Sequence, residues 1–326
     1  MPPEVSSHDT SAASLVPPAA AARPAWWVRL LARLPLGLLY VLAAGIGWLA
    51  FRVVRYRARL VRDGLVRAFP EFDAARLRAV MRSYYMGYAQ MLVELVKSAG
   101  LPPEEIRRRV RIIDLEAPRA RLAQGQPVLL VAAHQCNWEW MLLALSLELG
   151  YPLDAAYKPL VNPWAEREMK ILRSRFGSRL VPAKELLADI IRHHGEVRAV
   201  AMVADQEPTT SEHKYWTRFL NRDTAFYMGL EEIARVTRFP VFFIAMRRTA
   251  RGYYEMEFQP LLPAPHAPGD LPAAQSAPAA LAAPAATGAL TERYARLVEA
   301  QIRAAPADWP WSHKRWKLKK SVYTAR

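Results

Sequence analysis

The chain has 326 residues, 52% of them hydrophobic and 23% charged, enough apolar surface for a sizeable core and too much for a disordered chain. Its single cysteine, Cys136, excludes an intrachain disulfide and a cysteine-built zinc cluster. The 45 Lys and Arg against 30 Asp and Glu leave a formal charge of +15, which points to a polyanionic partner: nucleic acid, an anionic membrane surface or a phosphorylated substrate.

Residues 1–25 hold Ser, Ala and Pro without an apolar period, and the order of features in a secretory signal is missing, so they are read as a disordered tail. Trp26 to Leu34 pairs two tryptophans with Arg29 and Arg33, the composition of an interfacial anchor. Pro35 to Phe51 then carries no charge and spans about 26 Å as a helix, just short of a bilayer core. Arg52, Arg55, Arg57, Arg59, Arg62 and Arg67 follow, opposed only by Asp63, which marks the cytoplasmic side. Residues 26–67 are therefore read as a membrane anchor, spanning or lying in one leaflet, with a basic juxtamembrane helix. A buried core helix is the competing reading. Residues 68–326 form the body.

In the body, apolar residues recur at helical spacing from Asp73 to Ser98. A short strand is predicted over Val110 to Asp114. The apolar run from Pro127 to Ala133 has the pattern of a strand buried on both faces. Helix is predicted over Asn137 to Leu149, Trp164 to Phe176, Lys184 to His194, Tyr227 to Arg238 and Leu290 to Ala304. Further strands are predicted over Leu153 to Tyr157, Ala199 to Ala204, Pro240 to Met246 and Tyr253 to Pro260. This alternation predicts an α/β fold, a mostly parallel central sheet flanked by helices, with sites where strands end and helices begin. Residues 260–290, rich in proline and alanine, are read as a low-complexity loop.

His134 follows the buried strand and Glu139 falls in the first turn of the next helix. That spacing lets a carboxylate hold one imidazole nitrogen while the other faces a cleft as a general base. The nucleophile would then be a hydroxyl of the substrate. Asp205 and Gln206 end another apolar run, with a turn-forming aspartate as the plain alternative. Lys158 ends a third strand on the same rim; by default it is a solvated charge. Arg173, Arg175 and Arg179 lie about Gly177 at a helix end, suited to phosphate or to the helix dipole. His193, His194, His213 and His313 are scattered, so no metal site is expected.

The segment HQCNWEW, with His134 and Glu139, resembles the catalytic motif of the lysophospholipid-acyltransferase-like superfamily. More closely, the chain resembles the bacterial lipid A biosynthesis lauroyl/myristoyl acyltransferases from about Trp26 to Lys317. RAFPEF (Arg67 to Phe72), YKPL (Tyr157 to Leu160), ADQEP (Ala204 to Pro208), TAFYMGLEEIARVTRFPV (Thr224 to Val241) and WPWSHKRWK (Trp309 to Lys317) support it. The chain departs from the family at Cys136, where Gly is usual, at Ala133, where some members carry Asn, and at Lys158, where Arg is more frequent. It departs again at Gly64, where Asn often stands. The resemblance implies a glycerolipid-acyltransferase-like fold with an N-terminal membrane helix. It also implies transfer of an acyl chain from an acyl-carrier-protein thioester to a hydroxyl of a lipid A precursor, with no cofactor. His134 would be the base and Glu139 its orienting partner. Asn137, Lys158, Arg175, Asp205 and Gln206 would bind substrate or support the site. The implied partners are acyl carrier protein, a phosphorylated glycolipid acceptor and the membrane, with the body on the cytoplasmic side of the bacterial inner membrane. A basic C-terminal stretch (Lys314, Arg315, Lys317, Lys319, Lys320) is a candidate dock for the acidic carrier protein. Within the same fold, another glycolipid, an aminolipid or a lysophospholipid is the alternative acceptor. A non-enzymatic binder of anionic lipid or nucleic acid also accounts for the charge. No nucleic-acid-reading element is present in the sequence, and binding alone leaves the His134/Glu139 placement unexplained.

Overall fold

The computed structural model describes residues 23–208, 213–262 and 287–320. The chain begins with α1 (Trp26–Arg33), α2 (Leu36–Arg52), α3 (Ala58–Ala68), α4 (Ala74–Lys97) and α5 (Pro103–Arg109). An alternating run follows: β1 (Val110–Ile113), α6 (Glu116–Ala123), β2 (Val128–Ala132), α7 (Trp138–Glu148), β3 (Leu153–Tyr157), α8 (Pro163–Arg173), β4 (Arg179–Pro182), α9 (Leu186–Arg192) and β5 (Ala199–Val203). The hairpin β6 (Lys214–Phe219) and β7 (Arg222–Tyr227), then α10 (Gly229–Thr237), β8 (Val241–Ala250), β9 (Tyr253–Leu262) and α11 (Ala289–Ala304) complete it.

Seven strands form one sheet in the order β1-β9-β8-β2-β5-β3-β4. Every neighbouring pair is parallel except β8 with β9. The expected α/β architecture is therefore the one formed. β2 lies at the centre, and all five of its residues are buried. Side chains of a strand alternate between faces. Leu129 and Val131 join one core with α3, α4, α10 and α11, while Val128, Leu130 and Ala132 join a second core with α5, α6 and α7. A central strand covered by helices on both faces has no solvated side, so its sequence is a continuous apolar run rather than an alternating one.

Several boundaries follow from capping chemistry. Asp73 caps α4, its carboxylate accepting from the Arg76 amide at 2.7 Å. Asn162 and Asn137 do the same for α8 and α7. Each cap is worth about 1 kcal/mol relative to alanine.

The N-terminal segment differs from a simple spanning helix. Among the described residues no single helix is long and apolar enough to cross a membrane; α1 and α2 together pass on length and composition but are bent by 109° at Leu34–Pro35. Helix α2 lays Leu39, Tyr40, Ala43 and Gly47 into the protein and packs on α4. A Cβ on Gly47 would stand 3.0 Å from Met86 Sδ and from the Tyr85 carbonyl oxygen, so glycine there permits the close approach. The opposite face leaves Leu38, Val41, Leu42, Ile46, Trp48 and Leu49 exposed. Residues 1–22 of the expected tail and 263–286 of the expected Ala/Pro-rich loop lie outside the described residues, and β9 extends through the first of the loop's residues to Leu262.

Candidate active site

The register of the sheet assembles the site. Strands β2 and β5 run parallel with Ala132 opposite Val203. Two residues past each of those positions come His134 and Asp205. Both chains leave the sheet at the same level, and the two side chains meet: His134 Nδ1 lies 2.6 Å from Asp205 Oδ1. The same carboxylate oxygen accepts from the His134 backbone amide at 3.1 Å. Its other oxygen accepts from Trp309 Nε1 at 2.8 Å. Asp205 is 1% exposed and His134 15%. Burial alone would raise the Asp205 carboxyl, but the His134 ring and the donors from His134 and Trp309 outweigh it and hold it below the usual range. An ionised Asp205 fixes the proton on Nδ1, so Nε2 presents its lone pair outward. The amide of Gln206, which is exposed, lies 3.3 Å from that nitrogen.

This partner is not the one expected from spacing. Glu139 was the expected holder of the imidazole, yet its carboxylate takes a two-pronged contact from Arg173, at 2.8 and 2.6 Å, and a third bond from Trp138 Nε1 at 3.0 Å. One helical turn carries Glu139 past the ring and towards α8, where the planar guanidinium matches both oxygens. Its link to His134 is indirect: the Trp138 indole that it holds stands edge-on to the imidazole, 5.1 Å between centroids.

The other predicted residues separate. Asn137 is fully buried with both ends committed inside the protein: Oδ1 caps α7 at the Trp140 amide, 2.9 Å, and Nδ2 donates to Glu94 Oε2, 2.8 Å. It therefore shapes the loop instead of facing substrate. Glu94 also accepts from Tyr40 and Tyr254, and its carboxyl is raised by burial against the pull of these donors and Arg248. This cluster ties α2, α4 and β9 to the loop that carries His134. Arg175 donates to the Ser98 carbonyl and lies over Phe176, serving the C-terminal end of α4 and not the His134 rim. Lys158 follows β3, stands on the same edge of the sheet as His134 and Asp205, and is exposed with no hydrogen bond or ion pair among the described residues. Among the described residues no group of three or more His, Cys, Asp or Glu is placed to hold a metal.

Cys136 shows why its position favours glycine. Its φ is 55°, in the left-handed region, where a Cβ costs about 1 kcal/mol or more. The turn is held by the Cys136 amide donating to the Asp308 carbonyl at 2.9 Å. The buried thiol sits 3.5 Å from the Met246 carbonyl, and burial pushes it well above its ordinary value, so it is a packed group and not a nucleophile.

The C-terminal segment supplies residues to which the sequence reading gave no site role. Trp309 holds Asp205; Trp311 and Trp316 meet it edge-on, with ring centroids 4.8 and 5.9 Å from the Trp309 ring. Arg315 is 1% exposed, over the Phe226 ring and bonded to the Ala225 carbonyl, so it is unavailable for the carrier docking expected of it. His313 sits half-buried behind the pair. Burial lowers its ring to about 4, with His134, Arg315 and Lys317 pushing the same way and Asp205 opposing. The folded ring is thus neutral where an unfolded one, at its ordinary 6.5, takes a proton. Stability contributed by the neutral ring is complete above about pH 6.5 and falls as pH drops towards 4. His313→Gln is expected to flatten the pH dependence of the unfolding free energy between pH 6.5 and 4.5, measured by urea titration. Identical pH slopes for both proteins would refute this assignment.

The arrangement is a carboxylate-held histidine at the C-terminal rim of a parallel sheet, suited to taking a proton from a hydroxyl. The model of the family described as bacterial lipid A biosynthesis acyltransferase matches residues 24–318. The lipid A biosynthesis lauroyltransferase of Escherichia coli (strain K12) is 25% identical over 291 residues, covering 89% of each chain. A lipid A biosynthesis acyltransferase of Haemophilus influenzae is 23% identical over 242 residues, covering 73% of this chain and 74% of its own. A match over nearly the whole length, on a chain whose sheet brings His134 and Asp205 together, places this protein in the bacterial lipid A biosynthesis acyltransferase family and makes it an acyltransferase.

Proposed function

We propose that the protein transfers a fatty acyl chain from an acyl-carrier-protein thioester to a hydroxyl of a lipid A precursor, at the cytoplasmic face of the bacterial inner membrane. The observation that carries the chemistry is the His134 Nδ1–Asp205 bond of 2.6 Å, which leaves the Nε2 lone pair, beside the exposed Gln206 amide, to act as base. His134 removes the acceptor hydroxyl proton as the oxygen attacks the thioester carbonyl carbon. The tetrahedral intermediate collapses, the C–S bond breaks, and the imidazolium returns its proton to the leaving thiolate. Asp205 stabilises the imidazolium in between. Glu139 acts as a positioning residue: with Arg173 it anchors the first turn of α7 and the Trp138 edge against the ring.

The membrane reading rests on α1 and α2. Trp26 and Leu30 of α1 and Leu38, Leu42 and Trp48 of α2 are exposed apolar side chains, and the arginines of residues 52–67 follow them in the chain. A helix half-buried against α4 is better matched to lying in one leaflet than to crossing two, and the arginines suit anionic headgroups. Exposed Lys314, Lys317, Lys319 and Lys320 suit an acidic carrier protein.

The test is a membrane-fraction assay with radiolabelled acyl-carrier-protein thioester and two acceptors, one lipid A precursor with free 3-hydroxyacyl groups and one with those hydroxyls blocked. Label is expected in the first only. Label in both would remove the 3-hydroxyl as the acceptor site. Label in neither, with transfer to a lysophospholipid or aminolipid, would replace the proposed acceptor.

A further inference from the structure

A cavity of about 940 Å³ opens between α3 and the C-terminal segment. Its walls carry Arg55, Arg57, Arg59, Arg62, Arg222, Lys314 and Lys317, with Asp63 as the lone acid. Asp63 is already engaged, since Arg67 outside the cavity holds it at 2.9 Å. Among the described residues, none of the seven cations has a carboxylate within ion-pair distance. Arg57 donates to the Ser312 carbonyl and Arg222 lies 4.3 Å above the Trp316 ring, while Arg59 and Arg62 have no partner among the described residues. The walls also present the indoles of Trp311 and Trp316. A Cβ on Gly64 would stand 2.9 Å from the Trp311 ring, so the glycine lets that indole settle against α3.

Elsewhere on this chain arginine is commonly paired: Arg67, Arg107, Arg173, Arg179 and Arg303 all meet carboxylates. Seven uncompensated cations in one concavity repel each other, and that repulsion is relieved when a polyvalent anion binds. The size lies in the range of small-molecule sites. Guanidinium forks match phosphate oxygens two at a time. The half-buried Trp316 indole adds an apolar wall beside the cations, for the carbon skeleton of a sugar. The cavity also has a short route to the catalytic pair: Trp311 packs on Trp309, 4.8 Å between centroids, and Trp309 holds Asp205.

We propose that this cavity binds a phosphate monoester carried on a sugar, holding an acceptor by its phosphate. The proposal rests on the acyl-transfer reading for the acceptor, though not for the phosphate. It goes beyond that reading in assigning the anion site to α3 and the C-terminal segment. The charge of Lys314 and Lys317 then serves the acceptor, in place of the carrier protein.

The experiment uses the full chain in neutral detergent, wild type beside an Arg59→Ala/Arg62→Ala double variant. Neither side chain has a partner to lose among the described residues, so the fold is expected to persist, as checked by thermal unfolding. Calorimetric titration with glucosamine 1-phosphate is expected to show saturable binding that weakens about tenfold or more in the variant, with no binding of glucosamine. Inorganic phosphate is the second probe: binding weaker than the sugar phosphate supports the indole wall, and equal binding overturns the sugar part of the proposal. Vesicles with and without phosphatidylglycerol are the third. If the variant loses vesicle binding while wild type takes up no glucosamine 1-phosphate, the cavity is a membrane contact and the proposal falls. If acyl carrier protein alone loses affinity in the variant, the cavity is its dock and the proposal falls equally. A failed acyl-transfer assay leaves the titration readable, so the two readings are separable. Where transfer is observed, the variant is expected to raise KM for the phosphorylated acceptor about tenfold with kcat little changed.

Discussion

His134→Ala is expected to lower kcat by about 10²–10⁴-fold while the protein stays folded and bound to vesicles. The ring is at the rim of the sheet and 15% exposed, so its loss opens no deep cavity. Asp205→Asn is the sharper probe. Asparagine is nearly isosteric and its oxygen can still accept from Trp309. Its amide, however, donates to Nδ1 and drives the ring proton to Nε2, where the base must have a lone pair. A kcat reduced by up to about 10⁴-fold with little change in KM is expected for the wrong tautomer. Asp205→Ala would add a stability cost, because the Trp309 Nε1–H and the His134 amide lose a buried acceptor, about 1–3 kcal/mol each. Steady-state kinetics on the three variants, with thermal unfolding as control, make the check. An Asp205→Asn enzyme with wild-type kcat would remove Asp205 from the catalytic pair and return the role to Glu139.

Arg173→Ala is expected to destabilise the fold by about 3–5 kcal/mol, the cost of stranding a buried carboxylate. The Glu139 side chain is 6% exposed and two of its three donors are Arg173 nitrogens. The pair spans α7 and α8, so its loss also frees the turn from which Trp138 touches the imidazole. Replacing both partners with apolar residues, Arg173→Met with Glu139→Leu, is expected to recover most of the stability, because no charge is then left buried. Denaturant unfolding of single and double variants separates this from a loss of packing. If Arg173→Ala falls within 1 kcal/mol of wild type, Glu139 has found water or another donor. The double variant carries a second reading: restored stability without restored activity would show that Glu139 acts on the reaction beyond holding the turn.

Much of the fold was legible because its signals are local. The helical period read from Asp73 to Ser98 delimits α4 to within a residue at each end. The apolar run of β2 identifies a strand covered on both faces. The hairpin β6–β7 was not legible. Its two-residue turn places Leu220 and Asn221 at φ of 50° and 63°; Asn suits that hand, but Leu in the first position masks the signal. Leu220 accepts the left-handed backbone because its side chain is fully buried, a tertiary gain that offsets a local cost. β4 is short and half-polar, and its place at the sheet edge comes from pairing with β3.

The site divides in the same way. The sequence by itself determined that His134, Lys158 and Asp205 end strands, that the chain carries a large positive charge, and that an apolar, tryptophan-flanked segment precedes an arginine-rich one. These are properties of short windows. Only the tertiary structure decided which carboxylate holds the imidazole. Glu139 is the nearer in sequence, but the helical turn points it at Arg173, whereas Asp205, far along the chain, arrives through the register of β2 against β5. Sequence distance measures the chain between two residues. Contact is set by strand order and register, which depend on how the whole sheet is covered, and for that reason the partner of His134 could not be read from its neighbours.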